Sequence, residues 1–285
     1  MKKTIVAICY DFDQTLAQED MQTYGFFPKL NVTAKEFWGM ANDATAKENI
    51  DGVLSYLKLM IDECKKRNFP LTRKFLNDCG KNICFFNGVN SWFERLNNYA
   101  DKRGIKLEHY ILSSGNREII EGCQIYKYLN GVYACEFYYD QNGIACWPKN
   151  IVNYTLKTQY LFRINKGLTN EIDGKNINKR IENKRVEFRN MIYIGDGYTD
   201  IPSMTLVKEK GGTAISVYSP EQKEISLALI NDERVNFMCK SDYAVGSELD
   251  KTVKLLLDSI SVREKLINKE NNQTKRRNVW KNLKD

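Results

Sequence analysis

The chain has 285 residues, a formal net charge of +7, eight cysteines and one histidine. A fold of this size buries about three quarters of its unfolded surface and needs no disulfide or metal staple, and 42% hydrophobic with 28% charged residues excludes a disordered or fibrous chain. The lone His109 excludes a multi-histidine metal centre, and the scattered cysteines, with no C-x-x-C pair, argue against zinc ribbons and thioredoxin-like motifs.

Residues 4–10 (TIVAICY) are a continuous apolar, β-branched run that stops at Asp11, the pattern of a buried parallel strand. The run is too short for a signal peptide, and no stretch has the ~20 apolar residues of a membrane span. A cytoplasmic protein with reduced thiols is expected. Residues 18–106 break the α/β rhythm with helical periods at 35–46, 51–66 and 72–79, and form an expected helical insertion. A further helix is predicted at 89–102, ending near Gly104. Strands are expected at 107–112, 191–194 and 213–217, each ending in a small or acidic cluster. Asn142-Gly143 marks the turn of a hairpin over 131–147. A helix over 156–165 ends at Lys166-Gly167, and 166–189 reads as a polar surface excursion. Residues 262–285 carry eight lysines and arginines against three acids, so five of the seven excess charges lie in a basic C-terminal tail. The body is nearly balanced, which argues against nucleic acid as its partner.

Four stretches carry candidate chemistry. Asp11 and Asp13, in DFDQT after the first strand, can converge when the chain turns, one as nucleophile and one as proton donor and acceptor. Ser113-Ser114-Gly115 offers a hydroxyl and backbone N–H groups to an anion. Lys157, near a helix N-terminus where the dipole disfavours it, points to an anionic partner, with Lys149 and Lys166 as rivals. Asp196 and Asp200, in GDGYTD, suit a hard, oxygen-seeking cation. Alone, each is also an ordinary strand end, helix start or turn. Glu19 and Asp20 could meet a cationic substrate group, though a solvated helix start fits them as well.

Together and in this order, the four stretches resemble the motifs of the haloacid dehalogenase-like hydrolases, over about 1–17 and 107–260. The predicted helical insertion and hairpin resemble the phosphoserine phosphatase-like branch. The resemblance implies a doubly wound, Rossmann-like parallel-sheet α/β core (1–17 and 107–285) and a helical cap (18–106) after the first strand. It implies a phosphomonoester hydrolase acting on a small phosphorylated metabolite through an aspartyl-phosphate. Asp11 would attack phosphorus, Asp13 would protonate the leaving alcohol, and Lys157 would neutralise charge. Thr15, Ser113, Ser114 and Gly115 would bind phosphate. Mg²⁺ would be held by Asp11, Asp13 through its carbonyl, Asp196 and Asp200. Two departures stand out: Gln14, where glycine is common in the family, and the long interval between Lys157 and Asp196. A phosphotransferase, or a nucleic-acid or acidic-partner binding protein using the tail, is the alternative. The substrate and the oligomeric state are not legible.

Overall fold

The run 4–10 forms strand β1 (Thr4–Tyr10), whose last five residues are buried on both faces. The computed structural model describes residues 3–168, 174–182 and 184–282. Strands β2 (Ile105–Asn116), β3 (Gly131–Tyr139), β4 (Ala145–Asn150), β5 (Met191–Gly195), β6 (Thr213–Tyr218) and β7 (Phe237–Lys240) complete one sheet, ordered β4-β3-β2-β1-β5-β6-β7. β1 is central, with Ile8 opposite His109 of β2 and Ile192 of β5, and every pairing is parallel except β3 with β4. The chain first builds outward from β1 through β2 and β3, then resumes on its other flank with β5. That reversal opens a crevice at the strand C-terminal ends.

The expected insertion contains α1 (Phe26–Leu30), α2 (Ala34–Glu48), α3 (Gly52–Lys66) and α4 (Arg73–Gly80). Each of the last three is capped by its sequence. Thr33 and Glu36 form a capping box, Asp51 accepts from the N–H groups of Val53 and Leu54, and Thr72 accepts from Phe75. The next helix, α5 (Val89–Asp101), also lies within 18–106, yet it packs on β2 and against the C-terminal helix. Its Trp92 indole donates to the Tyr10 hydroxyl at 3.0 Å.

The remaining helices are α6 (Arg117–Glu121), α7 (Leu156–Lys166), α8 (Gly174–Ile177), α9 (Ile201–Glu209), α10 (Lys223–Asn231) and α11 (Glu248–Asn282). The hairpin over 131–147 is present as β3 and β4, with Gly143 at φ +73°, but β3 also pairs with β2, so the hairpin is the edge of the main sheet. Part of the polar stretch 166–189 is tied to the core, since Arg185 grips the buried Glu108 at 2.7 and 2.6 Å; residues 169–173 and 183 lie outside the described residues. The expected tail from 262 starts inside α11 and is anchored there: Arg263 donates to Asn190 at 3.0 Å and Glu264 accepts from Arg189 at 2.9 Å. No cysteine is paired with another. Among the described residues, no helix is long and apolar enough to cross a membrane.

Candidate active site

The crevice above β1, β2 and β5 holds a cavity of about 510 Å³. The loop after β1 brings Asp11 and Asp13 to it, the end of β2 brings Ser113, Ser114 and Gly115, and the loop after β5 brings Asp196. Lys157, from the first turn of α7, is fully buried between two carboxylates, with Nζ 3.0 Å from Asp11 Oδ1 and 2.8 Å from Asp200 Oδ1. Asp11 Oδ1 also accepts the Phe12 N–H at 2.8 Å. Asp200 accepts from the Tyr193 hydroxyl at 2.7 Å, and Asp196 from the Thr15 hydroxyl at 2.9 Å.

One carboxylate oxygen from each of Asp11, Asp196 and Asp200 lies within 4.8 Å of the others. An all-oxygen, negatively charged set fits a hard divalent cation such as Mg²⁺. The electrostatics agree. Burial first, then the charge of Asp200, pushes the Asp11 carboxyl up to about 7 against the pull of Lys157. Burial and the charges of Asp200 and Asp11 raise Asp196 well above the usual carboxylate range. Burial opposes the ammonium of Lys157, but its two carboxylate partners outweigh it and hold the lysine charged. The excess negative charge at this cluster is what a cation would relieve.

Asp13 faces the other way. Its Oδ1 accepts the Met21 N–H at 2.8 Å. Burial, then the charges of Asp20 and Asp11, lifts its carboxyl well above the ordinary value, as a proton donor requires. Gly115 passes so close to the Met21 side chain that a Cβ would meet Met21 Cε at 2.2 Å. From the insertion, the Tyr56 hydroxyl donates to the Ser114 carbonyl at 2.6 Å, closing α3 over the cavity.

No family model matches the chain. It is 27% identical over 277 residues to an uncharacterized protein of Borreliella burgdorferi, covering 87% of this chain and 95% of that protein. It superposes on a HAD family hydrolase of Salmonella enterica serovar Typhi with a TM-score of 0.58 at 15% identity, over 88% of this chain and 70% of that one. A phospho-aspartyl intermediate analogue of phosphoserine phosphatase gives 0.52 at 16%, over 89% and 99%. The chain has the haloacid dehalogenase-like fold.

On that fold, Asp11, Asp13, Ser113, Ser114, Gly115, Lys157 and Asp196 all line one cavity, although up to 185 residues separate them in sequence. Asp200 stands just behind the lining and is fully buried. The rival lysines lie elsewhere: Lys149 pairs with Glu136 at 3.0 Å, and Lys166 donates to the Lys179 carbonyl at 2.9 Å. Thr15, expected to bind phosphate, is fully buried and does not line the cavity; its hydroxyl is committed to Asp196, so it orients that carboxylate. Gln14 has φ +56°, in the left-handed region where glycine is at ease. Its side chain bonds Asp20 at 3.3 Å and also Gln222. Tyr56, Gln22, Tyr154 and Tyr198 line the cavity without having been singled out in the sequence. Helical spacing marks Tyr56 as no different from its core neighbours. Trp38 of the insertion also reaches the cavity, whereas Phe26, Phe27 and Phe37 pack on one another.

Proposed function

We propose that the protein is a Mg²⁺-dependent phosphomonoesterase that works through an aspartyl-phosphate, with α1–α4 as its cap. The observation that carries this reading is the convergence of the strand-end carboxylates, the buried Lys157 and the Ser113–Gly115 segment around one cavity. We assign α5 to the core, which ends the cap near residue 86.

Asp11 Oδ1 is held by Lys157 and the Phe12 N–H, which leaves Oδ2 to attack phosphorus. The Oδ2–P bond forms as the ester P–O bond breaks, and Asp13 gives its proton to the leaving oxygen. In the second step Asp13 takes a proton from water as that water attacks phosphorus, freeing Asp11 and inorganic phosphate. Ser113 and the backbone N–H groups beside it receive the phosphoryl oxygens, and Lys157 offsets their charge. Asp11, the Asp13 carbonyl, Asp196 and Asp200 would hold Mg²⁺, which when bound supplies charge neutralisation at the transferring phosphoryl group. The Tyr56–Ser114 bond supports a cap that excludes water and limits substrates to small molecules.

The test is phosphate release from a panel of small phosphomonoesters with Mg²⁺ and with EDTA. Release that depends on Mg²⁺ and vanishes in Asp11→Asn is expected. Unchanged release in either condition would contradict the mechanism.

A further inference from the structure

The Ser113–Gly115 segment sits at an irregularity in the sheet. β2 runs in register with β3 up to Leu112 opposite Tyr133 and resumes at Asn116 opposite Cys135, so residues 113–115 have only Ala134 across from them. A bulge of this kind takes backbone groups out of the ladder, and buried ones then need other partners. The Ser114 carbonyl finds two. The Tyr56 hydroxyl donates to it at 2.6 Å and the Cys135 thiol at 3.3 Å. A thiol is a weak donor, so the hydroxyl, supplied by α3, is the stronger hold. The Tyr56 ring is itself fixed edge to face against Trp38 at 5.5 Å.

The other side of the same peptide serves the phosphate pocket. In a trans peptide the C=O and N–H point in opposite directions, so a carbonyl pinned by Tyr56 aims the Gly115 N–H away from that hydroxyl. The Gly115 N–H donates to Ser113 Oγ at 3.0 Å. Ser113 lines the cavity, and among the described residues nothing accepts its hydroxyl proton. That proton is left for an oxygen entering the cavity. Hydrogen bonds in series polarise one another, so the bond to the Ser114 carbonyl strengthens the Gly115 N–H and, through it, the Ser113 hydroxyl.

We propose that Tyr56 is a positioning residue for the phosphoryl group. From the insertion it orients and polarises the Ser114–Gly115 peptide, which sets the Ser113 hydroxyl to donate to a phosphoryl oxygen. The proposal rests on the phosphomonoesterase reading above and goes beyond it: α3 contributes to phosphate binding without Tyr56 touching phosphate.

The experiment measures binding of inorganic phosphate to the Mg²⁺-loaded protein by isothermal titration calorimetry. This probe needs no turnover and has no leaving group for Tyr56 to contact. Tyr56→Phe removes the hydroxyl and keeps the ring against Trp38. It is expected to weaken phosphate binding about tenfold, the scale of one hydrogen bond, and to lower kcat for p-nitrophenyl phosphate by a similar factor. The deciding measurement is the double-mutant cycle with Ser113→Ala. Once Ser113 is alanine the series has lost its end, so Tyr56→Phe should change phosphate affinity by less than about twofold. Unchanged phosphate affinity in Tyr56→Phe, or an equal loss in both backgrounds, would overturn the proposal and leave the phosphomonoesterase reading standing. No phosphate release from any ester by the native protein, with the cycle still non-additive, would overturn that reading alone.

Discussion

Lys157 is the residue on which the site's electrostatics turn. It is buried between Asp11 and Asp200, so replacing it with methionine leaves two carboxylates without their cation. Lys157→Met is expected to lose about 3 kcal/mol of stability in urea titrations of the metal-free protein. Phosphatase turnover should fall by about 10²–10³-fold, and saturating Mg²⁺ should not restore it. Asp11, Asp13 and Asp196 are legible in sequence because strand ends fix where they lie; Lys157 is legible only as one of three candidate lysines, because position near a helix start does not say which ammonium turns inward. For Thr15 the position is legible, but not that its hydroxyl turns inward to Asp196. Tyr56 was not legible, because its partner Ser114 is 58 residues away and the meeting depends on how α3 sits.

At the scale of elements, α4 of the insertion is joined to α6 by backbone packed on backbone. Helix α4 meets α6 so closely that a Cβ on Gly80 would lie 2.0 Å from the Ile119 carbonyl oxygen. A Cβ on Gly122 would lie 1.9 Å from the Asn77 carbonyl oxygen. Because these neighbours are main chain, neither can swing aside. Gly80→Ala and Gly122→Ala should each cost about 1–3 kcal/mol in thermal or urea unfolding, as overpacking does. Arg73 of α4 reinforces the joint, reaching Glu121 at 2.9 Å and Glu136 at 2.6 Å. The helices of the insertion were legible from their capping residues and periods, and α2, α3 and α4 form within two residues of the expected limits. Their assignment to layers was not. Helix α5 shares the insertion's amphipathic pattern, but its apolar face is buried on β2, and periodicity does not say which surface an apolar stripe will cover. Strand β7 escaped detection because only Cys239 of its four residues is buried.

Across the whole molecule, two buried groups give stability opposite dependences on pH. His109 is fully buried between the Tyr10 hydroxyl and Asn97, and burial lowers its ring from 6.5 to about 3. Below pH 6.5 the unfolded chain takes a proton that the native state refuses, so stability falls as pH drops from 6.5 toward 3. His109→Gln should flatten that acid limb in a Tm-versus-pH series. Asp11 works the other way. Its carboxyl is raised from 3.8 to about 7, so the native state holds a proton the unfolded chain has lost, and metal-free stability falls as pH rises through that window. Mg²⁺ should raise Tm most at pH 8, where the carboxylates are ionised, and least near pH 5, where binding must displace protons. A Tm indifferent to Mg²⁺ at pH 8 would contradict the cation site.

Everything proposed for the site turns on Asp11 as the nucleophile of a phosphomonoesterase. That role is tested most directly by acid-quenching the protein during turnover of a phosphomonoester with Mg²⁺ and mapping the phosphoryl adduct by peptide mass spectrometry. One phosphoryl group is expected on the peptide carrying Asp11, labile to hydroxylamine and absent in Asp11→Asn. Turnover with no such adduct at any quench time, together with undiminished activity in Asp11→Asn, would contradict it.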